Sequence, residues 1–473
     1  MEQTTMLKTP DQSWQKIIDR CFEHGQGHVF RFWDELNDGQ RKSLIEQLSR
    51  INWLQMEELI QRALNPAKKI EHTLEPAPVI SIKERATYDA RAIPIGEEAL
   101  RAGKVGVCLV AGGQGSRLGF EGPKGCFPIT PVKNKTLFQL HAEKIKAMSL
   151  KYGVDLPWYI MTSQTNHQPT IDFFEKHDYF NLGKDNVFFF NQEMIPAVDH
   201  RGKFLLVEKH KIFESPNGHG GVLKALYDSG AIEDMKARDI QYLFYFQVDN
   251  VLVKMCDPAF IGHHILQKAQ MSNKVVRKVR PEERVGVICK IDGKIGVVEY
   301  SDLDEEHMYA RDKNGDLLFW AGSIAIHVID VPFIEEENKN GFKLPFHIAH
   351  KSIPYLNEQG ELVIPEAKNG YKFETFIFDA LLDASRVCTI EVDRSREFSA
   401  VKNKEGFESP QTAREDLMRN YARWLEACGV KVPRRDGLPV YPIEISPLFA
   451  LDEQELKQNL KKIPEIDGPI YLD

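Results

Sequence analysis

The sequence predicts an α/β fold built on a doubly wound parallel sheet, and three features predict it. Short apolar runs alternate with helix-like segments from Val105 onward, a glycine-rich loop follows the first run, and polar residues stand where later runs end. Strands of a parallel sheet read as continuous apolar runs because crossover helices cover both faces. Ligands of such sheets sit beyond the carboxyl ends of the strands, which gives those polar residues their interest.

The strand-like runs are VGVCLVA (105–111), PWYIMTS (157–163), NVFFFNQ (186–192) and QYLFYFQVDN (241–250). Helical periodicity fills 136–150, 170–177 and 221–236 between them. Upstream, residues 1–100 read as a helical region, with Leu44, Ile45, Leu48 and Ile51, then Leu59, Ile60 and Leu64, at helical spacing. Asn37-Asp38-Gly39 separates two such segments as a loop and helix cap. The stretch 76–94 holds three prolines without periodicity and is expected to be a connector. From Gly286 the pattern turns to a hairpin, GVICKI and KIGVVEY around Asp292-Gly293. Beyond Phe398 come a polar stretch, a helical segment to Ala427, short strand-like pieces and a helix near 452–462. These boundaries give a helical part over 1–100, a central domain over 101–398 and a small C-terminal domain over 399–473.

The 473 residues are too many for one core and carry a net charge of −8. That balance argues against a nucleic-acid partner of the basic-stripe kind. Seven cysteines are widely spaced and none forms a C-x-x-C pair, which suits a reducing cytosol. No basic segment followed by an apolar one opens the chain, and the longest nearly apolar run, 242–253, is too short to span a bilayer. The expectation is a cytoplasmic protein that does not engage a membrane.

The sharpest motif is LVAGGQGSRLG (109–119) followed by Gly122-Pro123-Lys124-Gly125. It starts at the end of the first strand, where a loop can wrap anionic oxygens with its N–H groups. Gly112, Gly113 and Gly115 carry no side chain, so the backbone can approach a base and phosphates closely. Arg117 and Lys124 add fixed positive charge. The plainer alternative is a glycine-rich turn with two solvated cations. No Gly-Lys-Ser or Gly-Lys-Thr occurs, which disfavours a Walker-type kinase or ATPase, and Leu118 occupies the third glycine position of a dinucleotide fingerprint.

LVAGGQGSRLGFEGPKG resembles the signature of UDP-sugar pyrophosphorylases, most closely the UDP-N-acetylhexosamine branch. MTSQTNHQPTIDFF (161–174), FFFNQEMIPAVD (188–199), PNGHGGVLKAL (216–226), YFQVDNVLVKMCDPAFIG (245–262) and REFSAVKN (396–403) have counterparts there in the same order. The resemblance implies a central Rossmann-like nucleotide-diphosphate-sugar transferase domain. It also implies a reaction, in which UTP and a sugar 1-phosphate give a UDP-sugar and pyrophosphate. A sugar 1-phosphate is already an anion, so its oxygen needs no general base to attack the α-phosphorus. Cations, Mg²⁺ and positioning therefore dominate such chemistry.

On this resemblance Arg117, Lys124 and Lys402 carry the catalytic positive charge. Gly112, Gly113, Gln192 and Gly218 hold the uridine, the Gln192 amide offering the donor and acceptor that uracil's imide requires. Asp249, at the end of its strand, is the Mg²⁺ ligand, a lone carboxylate suiting a cation that borrows phosphate oxygens. His219, Gly286, Glu299, Ser323, Phe376 and Phe378 match the sugar pocket. Each has an ordinary alternative: a turn-capping Asp, a strand-end Gln, an exposed Lys, a hairpin Glu, core phenylalanines. Two positions depart from the branch, His219 where it has Asn and Ser323 where an amide contacts the sugar. N-acetylglucosamine 1-phosphate is the leading substrate, with glucose 1-phosphate or a broader sugar range as the alternative. A catalytically silent nucleotide-sugar-binding regulator is the rival of another class.

Overall fold

The computed structural model describes residues 7–66, 71–462 and 464–473. Two compact units emerge, one from segments 1–71, 193–221 and 344–377, the other from 72–192, 222–343 and 378–473. Both are assembled from separated segments, so they cut the chain differently from the three contiguous parts read above.

The first unit begins with α1 (Gln12–Glu23), α2 (Asp38–Ser49) and α3 (Trp53–Leu64). Asp11, Asn37 and Asn52 cap them, and Asn37 forms a reciprocal capping box with Gln40. Asp38 and Gly39 therefore lie in the first turn of α2 rather than in a loop, because Asn37 takes the cap. Leu44, Ile45 and Leu48 bury one face of α2 against Ile18, Leu59, Phe204 and Ile212. Gln47 binds both the N–H (2.9 Å) and the carbonyl (3.1 Å) of Ile212, so one buried amide satisfies a strand's polar groups. Strands His347–Lys351, Gly370–Glu374 and Val198–Asp199 form an antiparallel ribbon in the same unit.

The second unit holds α4 (Ile82–Arg101), β1 (Val105–Val110), α5 (Leu137–Tyr152), β2 (Trp158–Thr162), α6 (His167–Lys176) and β3 (Val187–Asn191). Helices α7 (Gly221–Asp228) and α8 (Ala231–Ala237) lead to β4 (Tyr242–Gln247), α9 (Pro258–Leu266) and β5 (Met271–Arg277). Strands β6 (Val287–Ile291), β7 (Lys294–Val298), β8 (Ala321–Asp330) and β9 (Val387–Glu391) complete a mixed sheet. Its order from one edge is Leu74–Pro76, β6, β8, β4, β1, β2, β3, with β5 pairing β8 and β9 and with β7 on β6. Strands β4, β1, β2 and β3 are mutually parallel neighbours. Their carboxyl ends therefore share one sheet edge, and that edge gathers Gly112, Gln192 and Asp249. The β6–β7 hairpin turns at Asp292-Gly293 with both φ positive, 51° and 86°, as an Asp-Gly turn between right-twisted strands requires.

The stretch 76–94 is not a connector throughout. Residues 82–101 form α4, opened by a capping box between Ser81 and Glu84 and continuous through Pro94. Tertiary packing overrides the proline: a Cβ on Gly96 would lie 1.9 Å from the Pro258 carbonyl oxygen, and one on Gly262 would lie 1.8 Å from that of Ala92. The two glycines let α4 and α9 touch backbone to backbone, and that contact stabilises a helix its own sequence advertises poorly. Helix Pro410–Ala427 buries Leu417, Tyr421 and Leu425 in the same apolar cluster as the sheet. Among the described residues no helix is long and apolar enough to cross a membrane.

Candidate active site

The glycine-rich loop leaves β1 after Val110 and folds back on itself. Gly115 N–H donates to the Gly122 carbonyl at 2.9 Å and Lys124 N–H to that of Gly113 at 3.1 Å. Buried Asn166 fixes the loop from beneath, its amide donating to the carbonyls of Ala111 (2.8 Å) and Gly113 (3.3 Å). Its oxygen accepts from Ser163 N–H at 2.8 Å. A Cβ on Gly112 would come within 3.1 Å of the Gln192 side-chain oxygen, whereas one on Gly113 would meet nothing within 4 Å. Gly112 thus lies against Gln192, and Gly113 opens toward free space. Gln192 is placed by its own N–H, which donates to the Thr162 carbonyl at 2.8 Å and prolongs the β2–β3 pairing by one residue. Arg117 stands exposed on the short turn Ser116–Leu118 and forms no ion pair among the described residues.

The charge centre is Lys124, Asp249 and Lys402. Strand β4 stops at Gln247, so Asp249 lies two residues past the strand rather than closing it. Lys124 Nζ lies 3.3 Å from Asp249 Oδ2, with both side chains largely enclosed. Burial pushes the Asp249 carboxyl up, but Lys124 and then Lys402 more than offset it, so the group titrates below its ordinary value. Lys402 pairs meanwhile with Glu408 at 3.2 Å. A backbone ladder holds the lysine's strand in place: Val401 N–H donates to the Asp249 carbonyl at 3.1 Å and Val251 N–H to that of Ser399 at 3.0 Å.

Two buried residues that sequence reading missed set this geometry. The Asn250 amide donates to the Glu397 carbonyl at 2.9 Å, and its oxygen accepts from Ser399 N–H at 3.0 Å. One side chain thereby clamps the Asp249 turn to the segment bearing Lys402. His141 on α5 donates from Nε2 to the Val248 carbonyl at 3.1 Å, while its Nδ1 is buried with no partner among the described residues. Burial pushes its pKa down to about 3, with Lys144 adding to the shift. The unfolded ring titrates near ~6.5, so between about pH 3 and about pH 6.5 the unfolded chain binds the extra proton. The ring's contribution to stability is therefore complete above about pH 6.5 and lost as pH falls toward 3. His141→Gln, which keeps a donor and does not titrate, should remove about 2 kcal/mol of the stability lost between about pH 7 and about pH 5. Urea midpoints across that range check this, and an unchanged slope would contradict it.

The residues assigned to a sugar fall in both units. In the second unit, Ser323 N–H on β8 donates to the Gly286 carbonyl at 2.8 Å, and a Cβ on Gly286 would sit 3.3 Å from Glu299 Oε1. Gly286, Glu299 and Ser323 are thus brought together at the β6–β8 junction. Phe378 is buried in that unit. In the first unit, Gly218 has φ +84°, and a Cβ there would strike the Thr375 backbone at 2.3 Å. Only glycine fits. The His219 ring stacks on Phe376 at 5.4 Å between centroids, and Phe376 stacks in turn on His347 at 4.4 Å. His219 Nδ1 accepts from Ile377 N–H at 3.2 Å, which leaves the ring proton on Nε2. Burial, with His347 contributing, pushes its pKa down to about 4. The ring is neutral at physiological pH.

A nucleotide-scale glycine loop at the carboxyl edge of a parallel-rich sheet, facing two lysines and one ionised carboxylate, defines a nucleotidyltransferase-like site. The chain belongs to the UTP–glucose-1-phosphate uridylyltransferase family, whose model matches residues 54–466. It is 38% identical to the UDP-N-acetylhexosamine pyrophosphorylase-like protein 1 of Xenopus tropicalis over 96% of this chain and 95% of that one. It is 35% identical to the UDP-N-acetylglucosamine pyrophosphorylase of Saccharomyces cerevisiae over 94% and 97%. Its fold is similar to the crystal structure of the Trypanosoma brucei uridine diphosphate N-acetylglucosamine pyrophosphorylase, with a TM-score of 0.83, 25% identity and 99% of each chain covered.

Proposed function

We propose that the protein is a uridylyltransferase that joins UTP and a sugar 1-phosphate into a UDP-sugar and releases pyrophosphate, with N-acetylglucosamine 1-phosphate as its leading substrate. The observation that carries this reading is the Lys124–Asp249–Lys402 set beside the glycine loop. Reaction proceeds when a sugar-phosphate oxygen attacks the α-phosphorus of UTP and the bond to the pyrophosphate oxygen breaks. The chain's task is to hold two polyanions in line and to meet the charge spread over the phosphoryl oxygens. Lys124 supplies that charge from a loop already folded around it, and Arg117 and Lys402 can add theirs once phosphates draw them in. Lys402 exchanges Glu408 for a phosphate oxygen when it does so.

Asp249 fits Mg²⁺. Its carboxylate is kept ionised in an enclosed site, and a single carboxylate suffices where phosphate oxygens supply the other ligands. Bound there, the ion would neutralise phosphate charge. Within the second unit, Gln192 and the backbone at Gly112 and Gly113 would hold uridine, while Gly286, Glu299, Ser323 and Phe378 would meet the sugar; for Gly218, His219 and Phe376 of the first unit the same roles rest on the family resemblance alone. On the same reading the sheet is the doubly wound, Rossmann-like frame of a nucleotide-diphosphate-sugar transferase, and the protein works in the cytoplasm.

The test is to incubate the protein with UTP or ATP, Mg²⁺ and a panel of sugar 1-phosphates and to measure pyrophosphate. Turnover with UTP and an N-acetylated sugar supports the reading. Comparable turnover with ATP contradicts the uridine assignment, and no turnover with any sugar leaves the silent binding protein instead. Ser323 offers a hydroxyl where an amide would pair both donor and acceptor with the acetamido arm. A missing contact of this kind is worth ~1–3 kcal/mol, roughly 10- to 200-fold, when no buried polar group is left unpaired. A hexose 1-phosphate is therefore expected to react within that range of N-acetylglucosamine 1-phosphate, and Ser323→Asn should move the ratio toward the N-acetylated sugar. A strict preference of more than about 10⁴-fold for the N-acetylated sugar in the unmodified protein would show that another residue reads the acetamido arm.

A further inference from the structure

The second unit contains a cavity of about 440 Å³ that the uridylyltransferase reading does not use. Its apolar wall is formed by Met148, Leu252, Met255, Leu417 and Trp424, and Lys144 lines it as well. Three other lining cations have a carboxylate of their own: Lys151 with Glu455 at 2.5 Å, Lys254 with Asp257 at 3.1 Å and Arg396 with Asp393 at 3.6 Å. Five carboxylates line the cavity too, and four are engaged elsewhere: Glu97 with Arg101, Asp257 with Lys254 and Lys274, Glu397 with Lys274, and Asp452 with the Glu455 N–H; Glu453 is the fifth. Lys144 pairs with none of them. Among the described residues its ammonium donates only to the carbonyls of Val251 (2.7 Å) and Val253 (3.0 Å), and two acceptors leave one of its three N–H groups over. A partly buried cation without a nearby counter-charge is costly, and burial pushes the Lys144 pKa down to about 7. A second observation points the same way. Tyr152, which also lines the cavity and is 8% exposed, has a buried hydroxyl with no hydrogen-bond partner among the described residues.

We propose that this cavity is a binding site for a small amphipathic organic anion, a carboxylate, sulfonate or phosphate on an apolar or aromatic body, with Lys144 as its charge partner. The apolar wall takes the body of the ligand and Trp424 offers it a ring face. The anionic group restores the charge balance that the fold leaves open at Lys144.

The probe is 1-anilinonaphthalene-8-sulfonate, which carries a permanent negative charge on an aromatic body, titrated into the folded full-length chain and followed by its fluorescence. One saturable site is expected, with Lys144→Met weakening it by roughly 10-fold or more and Lys144→Arg leaving it within about 3-fold. Binding should weaken as pH rises from about 6 to about 9, because the anion favours the charged form of an amine that titrates near neutrality. The unmodified protein supplies a check that does not depend on variants folding: acetic anhydride at neutral pH should label Lys144, and the probe should protect it while exposed lysines stay reactive. Equal probe affinity in Lys144→Met, affinity independent of pH, or undiminished labelling of Lys144 at saturating probe would each overturn the proposal.

Discussion

Lys124→Ala is expected to lower turnover by roughly 10²-fold or more while the fold stays intact, the scale on which removal of one preorganised charge donor acts. The size of the effect follows from how the residue is held. Its N–H is tied to the Gly113 carbonyl at 3.1 Å, and the next residue, Gly125, lies against the Phe138 ring so closely that a Cβ would come within 2.2 Å of it. The backbone is thereby fixed, and the ammonium, 3.3 Å from Asp249 Oδ2, is already placed before substrate arrives. Removing it also takes away the larger of the two charges that offset Asp249's burial, so the carboxyl should titrate higher. The check is kcat from pyrophosphate release, with circular dichroism to confirm folding and Lys124→Arg to test whether charge alone suffices. Near-normal kcat in a folded Lys124→Ala protein would make Lys124 a solvated cation with no part in the reaction.

Much of the candidate site's layout was legible because its parts are local. The end of β1, the glycine loop and Lys124 lie within twenty residues of one another, and strand ends of a parallel sheet share an edge by topology alone. The hairpin at Asp292-Gly293 was legible for a similar reason, since a two-residue turn with both φ positive strongly favours this residue pair. What sequence could not give is long-range. Helix α4 runs through Pro94 because Gly96 and Gly262 bring two backbones together, a fact that no window around Pro94 contains. Asn166 and Asn250 hold the loop and the Asp249 turn through bonds to residues 55 and 147 positions away in the chain. Each stands beside a motif residue in sequence, yet a buried asparagine and an exposed one look alike there. Lys144 falls in the segment 136–150 that reads as helical, and only the fold shows that its partners are carbonyls.

Asp249→Asn is expected to abolish turnover or to raise sharply the Mg²⁺ concentration it requires. The substitution changes neither size nor shape, so the Asn250 clamp and the backbone ladder to Val401 should persist and the variant should fold. What it changes is charge. An amide is a poorer ligand for a hard cation than a carboxylate, so Mg²⁺ would be left to phosphate oxygens and water. The same change leaves Lys124 without its carboxylate partner, and this unpaired cation should hold the triphosphate at least as firmly as before. The two effects separate in measurement: UTP affinity, read by a direct titration without Mg²⁺, should be kept or strengthened, while kcat falls and the Mg²⁺ midpoint rises. A merely structural Asp249, capping the turn after β4, would instead show reduced thermal stability with an ordinary Mg²⁺ curve. An unchanged Mg²⁺ titration curve in the folded variant would therefore remove the metal role from Asp249 and leave the carboxylate as the partner that orients Lys124.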